Sequence, residues 1–296
     1  MPAPVIKLLE SPEDMTLVED LQRAVWPGSE TDVVPAHVFI TAVHNGGLVI
    51  GAFIEEELIG FVFGFPGLDF TPDGPRPKHC SHMMGIRPGQ RDSGVGFALK
   101  RAQWQMVRKQ GIDHITWTYD PLLSRNAYLN IAKLGAVCNT YRRSEYGDMR
   151  DGLNAGLPSD RFQMDWWVNT RRVERRLGKR PRAPLNLENF AKADLQPLYT
   201  PPALTSGLIR PPEHFPPLEG RLLLAEIPSD LAPSKMPTLL PRTTGACSRA
   251  SFSRLRSPRA TSSPISFMTE GEVSMCSPTV RARWGSIQVT RSPSCH

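Results

Sequence analysis

The residues of this chain best placed to do chemistry are Arg91-Asp92-Ser93-Gly94-Val95-Gly96. There an apolar run through His82-Met83-Met84-Gly85-Ile86 gives way to a turn and then to Phe97-Ala98-Leu99-Lys100-Arg101-Ala102. The pattern predicts strand, glycine turn and helix. Gly94 and Gly96 leave little side-chain bulk where backbone must approach a ligand closely. The unpaired N–H groups and positive dipole end of the helix then face the turn, which suits a pyrophosphate. Two familiar phosphate turns do not fit. A P-loop ends in Gly-Lys-Ser/Thr, whereas Gly96 precedes Phe97, and a dinucleotide turn needs G-x-G-x-x-G in a βαβ unit near the start of its domain. By themselves the two glycines are equally consistent with a plain strand-to-helix turn.

The elements that must position this turn are legible on both sides of it. Val5–Leu9 reads as a strand. Ser11 as N-cap, Pro12 at the first helical position and Asp14 in the capping box open a helix carrying Met15, Leu17-Val18, Leu21 and Val25 at helical spacing. A weaker helix covers Pro35–Val43. Gly47–Ile54 and Leu58–Phe65 form a hairpin across Glu55-Glu56-Glu57. After the turn and its helix come a strand at Ile115–Tyr119, a helix at Arg125–Leu134 and two further strands.

This order, with Ile86-x-Pro88 leading into Arg91-x-x-Gly94-x-Gly96, resembles motif A of the GNAT superfamily of acyl-CoA N-acyltransferases. Within that superfamily, a GNAT-like subgroup is similar at several separated motifs. These are Trp117-Thr118-Tyr119-Asp120-Pro121-Leu122, Arg125-Asn126, Leu134-Gly135-Ala136, Asp160-Arg161-Phe162 and Trp166-Trp167. The resemblance implies an α/β (α+β) GNAT fold, a mixed central sheet flanked by helices. It implies acetyl-CoA or another acyl-CoA as co-substrate, an amine acceptor, no metal, and direct attack of the amine on the thioester. A CoA-binding sensor or scaffold of the same fold is the second reading.

The same resemblance places roles on residues. The N–H of Met84 would face the thioester carbonyl, Ile86 would pair its backbone with the pantetheine arm, and the amides of Arg91, Asp92, Ser93, Gly94, Val95 and Gly96 would hold the pyrophosphate. Asn126 is a further cofactor-binding candidate. For proton transfer, His82 and Asp120 are the candidate bases, His82 because two residues before Met84 it shares a strand face with it. Each has a structural alternative, a half-buried histidine and a turn-forming Asp-Pro. The tyrosine that many GNAT members use as proton donor falls here on Ile131, ahead of Gly135-Ala136, and Tyr128 is the substitute on the same helix, or else a groove-lining aromatic. Cys80 and Cys138 lack metal-site spacing and read as buried thiols.

Composition sets outer bounds. The 296 residues carry a net charge of +6. Residues 1–232 hold 26 basic and 27 acidic side chains, against 9 and 2 in 233–296, so the excess lies in the tail and argues against a nucleic-acid partner for the rest. No signal peptide and no membrane-length apolar run is evident, so a cytoplasmic protein without a membrane partner is expected. The oligomeric state is not encoded in any visible pattern. We expect a GNAT domain over 1–170, a proline-rich extension over 171–232 with one strand near Leu222–Ile227, and a basic Ser/Arg/Pro-rich disordered tail over 233–296. Within 171–182 the run Arg171, Arg172, Arg175, Arg176, Lys179, Arg180 reads as a solvated helix or as a patch for the CoA 3′-phosphate. The tail has the look of a frameshift product. With each codon's last base joined to the next two, the codons permit I-K-D-A-D-P near Ser234–Thr238 and G-Y-V-V-T-D-F-V-H-D near Arg259–Glu270. The second would make a strand able to pair with Leu222–Ile227.

Overall fold

The computed structural model describes residues 3–28, 30–147, 159–178, 181, 223–226, 265–269 and 272–275. The elements run β1 (Val5–Leu8), α1 (Pro12–Val25), α2 (Ala36–His44), β2 (Leu48–Ile54), β3 (Glu57–Thr71), β4 (Gly74–Ile86), α3 (Val95–Lys109), β5 (His114–Tyr119) and α4 (Ser124–Ala127). Then come β6 (Val137–Arg142), β7 (Arg161–Trp167), α5 (Arg171–Leu177), β8 (Leu223–Glu226), β9 (Ile265–Thr269) and β10 (Glu272–Met275). Through β7 this is the element order implied by the resemblance.

Seven strands form one mixed sheet in the order β1-β2-β3-β4-β5-β7-β6. Every pairing is antiparallel except β4 with β5. Alternation along β2 divides the core between the two faces: Leu48, Ile50 and Ala52 face the side covered by α3, Val49 and Phe53 the side covered by α1 and α2. On the second side, Phe39 and Phe63 meet edge to face at 4.8 Å. Helix α1 starts where its sequence indicates, with Asp14 N–H donating to Ser11 Oγ at 3.1 Å and Ser11 N–H donating to Asp14 Oδ2 at 3.2 Å. Gln22 fastens the following loop by bonding both backbone groups of Val34.

Four expectations need correction. First, β3 and β4 run well past the rest of the sheet as a two-stranded arm that starts after Pro66, Gly67 to Thr71 against Gly74 to Lys78. Pro66, Pro75 and Pro77 argue against strand in the sequence, yet a two-stranded arm has two open edges where a missing N–H costs nothing. Second, the helix at Arg125–Leu134 divides into α4 and a π-helical turn over Tyr128–Lys133, closed by Leu134 N–H donating to Leu129 O at 2.9 Å. Third, the core extends beyond residue 170, because α5 buries Val173 and Leu177 in the α3-side cluster. Fourth, the tail is not wholly disordered: β9 and β10 lie within it, β9 parallel to β8 and antiparallel to β10. Their Ile, Phe, Met and Val content supplies local strand propensity amid the Ser and Arg. The remaining residues of 182–296 lie outside the described residues.

Candidate functional site

The parallel contact between β4 and β5 is only two residues long, His79 opposite Ile115 and Cys80 opposite Thr116. Beyond it the strands part, leaving a fork in the middle of the sheet. β4 continues to Ile86 against β3, and β5 to Tyr119 against β7. Register settles which backbone groups face the gap. Arg87 N–H donates to Ile59 O at 2.8 Å, so in this antiparallel pair the amides of Gly85 and Met83 also turn toward β3. Those of Met84 and Ile86 turn the other way, toward the gap, where no strand among the described residues pairs with them.

The mouth of the fork leads to the start of α3. Gly94 is its N-cap with φ +89, a left-handed conformation that favours glycine, and no side chain caps the helix. Arg91, Asp92, Ser93 and Gly94 are all exposed, so the first-turn N–H groups face solvent beside them. A Cβ on Gly94 would meet no atom within 4 Å, whereas one on Gly96 would lie 3.1 Å from Ile86 Cδ1 and 3.5 Å from Met84 Cε. The two glycines thus do different work. Gly94 permits the turn, and Gly96 makes room for the β4 side chains. Asp92 also has positive φ, +67, and its carboxylate pairs with Arg125 Nε at 3.2 Å, one residue before Asn126 in α4.

The candidate proton-transfer residues separate. Opposite Phe63 and Gly64 the register slips by one in β4, making His82 the extra residue of a β-bulge. In consequence, His82 does not share a face with Met84: its ring contacts Phe63 and Phe65 on the α1/α2 side, while Met84 packs on the α3 side. Partial burial against those rings lowers the His82 pKa, favouring the neutral imidazole. Asp120 spends one oxygen on its own turn, accepting from Leu122 N–H at 2.9 Å. Ile131 is 1 % exposed within the core, and Tyr128 is half-buried with Lys133 Nζ 5.2 Å from its ring centre. Cys80 and Cys138 are half-buried rather than fully buried. No cluster of three or more His, Cys, Asp or Glu side chains able to hold a metal is present among the described residues, and no helix among them is long and apolar enough to cross a membrane.

Two features at the fork escaped the sequence. On β5, Thr118 Oγ1 lies 2.6 Å from the hydroxyl of Tyr146, an exposed residue of the β6–β7 connection. Beside β4, Trp26 at the end of α1 meets Phe61 edge to face and lies against Gly85, where a Cβ would come within 3.1 Å of its ring. An aromatic wall of Trp26, Phe65 and the His82 ring therefore stands on the α1/α2 side. Neither pairing leaves a local motif, since each joins residues far apart in the chain.

No family model matches the chain, and no curated protein matches it. Solved structures do. They include NAA60 of Arabidopsis thaliana in complex with acetyl-CoA, at 16 % identity over 56 % of this chain and 99 % of that one, with a TM-score of 0.46. The ribosomal-protein-S18-alanine N-acetyltransferase of Escherichia coli is similar at 16 % identity, over 56 % and 95 %, with a TM-score of 0.43. An acetyltransferase of the GNAT family from Streptococcus pneumoniae is similar at 14 % identity, over 55 % and 98 %, with a TM-score of 0.43.

Proposed function

We propose that the protein is an acyl-CoA-dependent N-acyltransferase that passes an acetyl or small acyl group directly from the thioester to an amine. The observation that carries this reading is the fork itself. A strand whose outward amides at Met84 and Ile86 lack a strand partner among the described residues offers pairing to an extended amide-bearing chain, which is what a pantetheine arm is. The adjoining α3 start, with no side-chain cap, offers N–H groups suited to a diphosphate. The residues Arg91 to Gly96 hold the diphosphate by main chain, with Asn126 beside them on α4, and Met84 N–H stabilises the oxyanion as the amine attacks.

On the α1/α2 side, neutral His82 accepts the ammonium proton, directly or through water, before attack. Asp120, with its second oxygen, is the alternative base. After the tetrahedral intermediate collapses, the thiolate takes a proton from Tyr128, or from Tyr146, whose hydroxyl is already ordered by Thr118. The acceptor enters against Trp26, Phe65 and His82, a surface suited to an amine carrying an apolar or aromatic body. A cytoplasmic setting fits an acyl-CoA supply.

Thiol release from acetyl-CoA over a panel of amines tests the reading. Turnover with at least one amine is the expected result, and His82→Ala lowers kcat by about a hundredfold or more while leaving the KM for acetyl-CoA unchanged. Binding of acetyl-CoA with no thiol release for any amine favours the sensor instead.

A further inference from the structure

The closed end of the fork is held by a group that the transfer chemistry above does not use. Lys100 projects from α3 one turn after Gly96, and it is only 3 % exposed. Its Nζ donates to Ser81 Oγ at 2.7 Å and to Gln103 Oε1 at 3.1 Å, and stands 3.9 Å from the centre of the Trp117 ring and 5.8 Å from that of Trp166. No carboxylate lies within ion-pair distance of it among the described residues. Ser81 Oγ and Gln103 Oε1 are themselves 3.0 Å apart, and Gln103 Nε2 donates to His79 Nε2 at 3.2 Å, so His79 carries its proton on the other nitrogen. These contacts join β4 at Ser81 to β5 at Trp117, one step beyond the two residue pairs that unite the strands, and reach back to His79 within those pairs.

A parallel ladder two residues long is a weak hinge. We propose that Lys100 is a positioning residue that sets the opening of the fork, clamping Ser81 of β4 to the Trp117 face of β5 so that Met84 and Ile86 stand at the spacing a thioester and its pantetheine arm need. The inference rests on the acyl-CoA reading of the fork. A lysine suits the task because its three donors are directed at a hydroxyl, an amide oxygen and an aromatic face, whereas a methionine of similar length would fill the space without joining the strands. The titratable neighbour facing it from β4 is His79, held neutral near pKa 3 by burial and by Lys100; β5 and β7 face it with indole rings.

The test is calorimetric titration of acetyl-CoA into the full chain and its Lys100→Met variant from pH 6 to pH 9, beside thermal melts of both. Removing a buried charge that has no counter-ion leaves the melting temperature at or above wild type, while affinity falls about tenfold at pH 6, the scale of one charge-assisted contact. The gap narrows as pH rises through about 7, where burial places the lysine's own titration. A purely structural lysine would move the melting temperature and not this gap. Ser81→Ala, which removes one end of the clamp and keeps the charge, weakens binding in the same direction and serves if Lys100→Met does not fold. Equal affinity of variants and wild type across the range overturns the clamp and leaves the acyl-CoA reading standing. Absence of binding by wild type at every pH overturns both.

Discussion

The two ends of one helix stripe solve opposite problems. At its first turn α3 offers bare backbone to solvent, with exposed residues from Arg91 to Gly94 and a left-handed glycine where a side chain would be strained. One turn past Gly96 the same face carries Lys100 and then Gln103, fully enclosed and bonded to side chains from β4. The difference teaches where function is local and where it is assembled. The backbone proposed to face the ligand depends on what is missing from a short segment, and substitutions there should harm binding before stability. The enclosed network depends on side chains from several elements, and substitutions there should change stability and its pH dependence as well.

The largest effect separating the two is the pH dependence of folding. Burial brings Lys100 from its ordinary 10.5 down to about 7, so between those values the unfolded chain holds a proton that the folded one has released. Stability therefore rises with pH across that window, by up to about 1.4 kcal/mol per unit from this group. Urea denaturation at pH 7.5 and 9.5 should show the rise in wild type and a flatter profile in Lys100→Met. A profile equally steep in both would place the effect elsewhere.

Gly64→Ala is the next test of the enclosed end. A Cβ there would sit 2.2 Å from His79 Nε2 and 2.7 Å from Cys80 O, and the second contact is backbone that cannot swing aside. A loss of about 1–3 kcal/mol in denaturant midpoint analysis is expected, from overpacking at the hinge of the fork. The smallest effect belongs to the exposed end. Asp92→Asn keeps a residue type that tolerates positive φ, removes a negative charge beside the proposed diphosphate site and releases Arg125 from its 3.2 Å pair. Stability should change by less than about 0.5 kcal/mol, since both partners are solvent-exposed. Acetyl-CoA should bind about two- to fivefold more tightly at low salt, a gain that fades in concentrated salt.

Legibility in the sequence followed the same division. The glycine turn, the capped α1, the hairpin of β2 with β3 and the order of elements through β7 each rest on residues close together in the chain, and the structure has them where local pattern put them. Met84 and Ile86 were placed through the resemblance, and the register of β4 on β3 turns their amides to the gap. His82 was assigned to the wrong face because a single-residue bulge reverses strand alternation, and nothing in Ser81-His82-Met83 marks a bulge. Nothing in the local sequence singles out Lys100 from the rest of its helix. Its enclosure comes from Trp117 and Trp166, which reach it from strands that only the fold brings together. The proline-bearing arm was lost for a related reason, since whether a strand's edge is open is a property of its neighbours.

The claim on which everything else depends is that the start of α3 and the fork hold an acyl-CoA. Calorimetric titration of acetyl-CoA into wild type and Gly94→Glu tests it most directly. The substitution forces a side chain into φ +89 and sets a carboxylate at the proposed diphosphate site, yet its Cβ would touch no atom within 4 Å, so the core should remain intact. Binding by wild type, lost in the variant with its cooperative unfolding preserved, is the result expected. Equal binding by both, or none by wild type, would contradict the account.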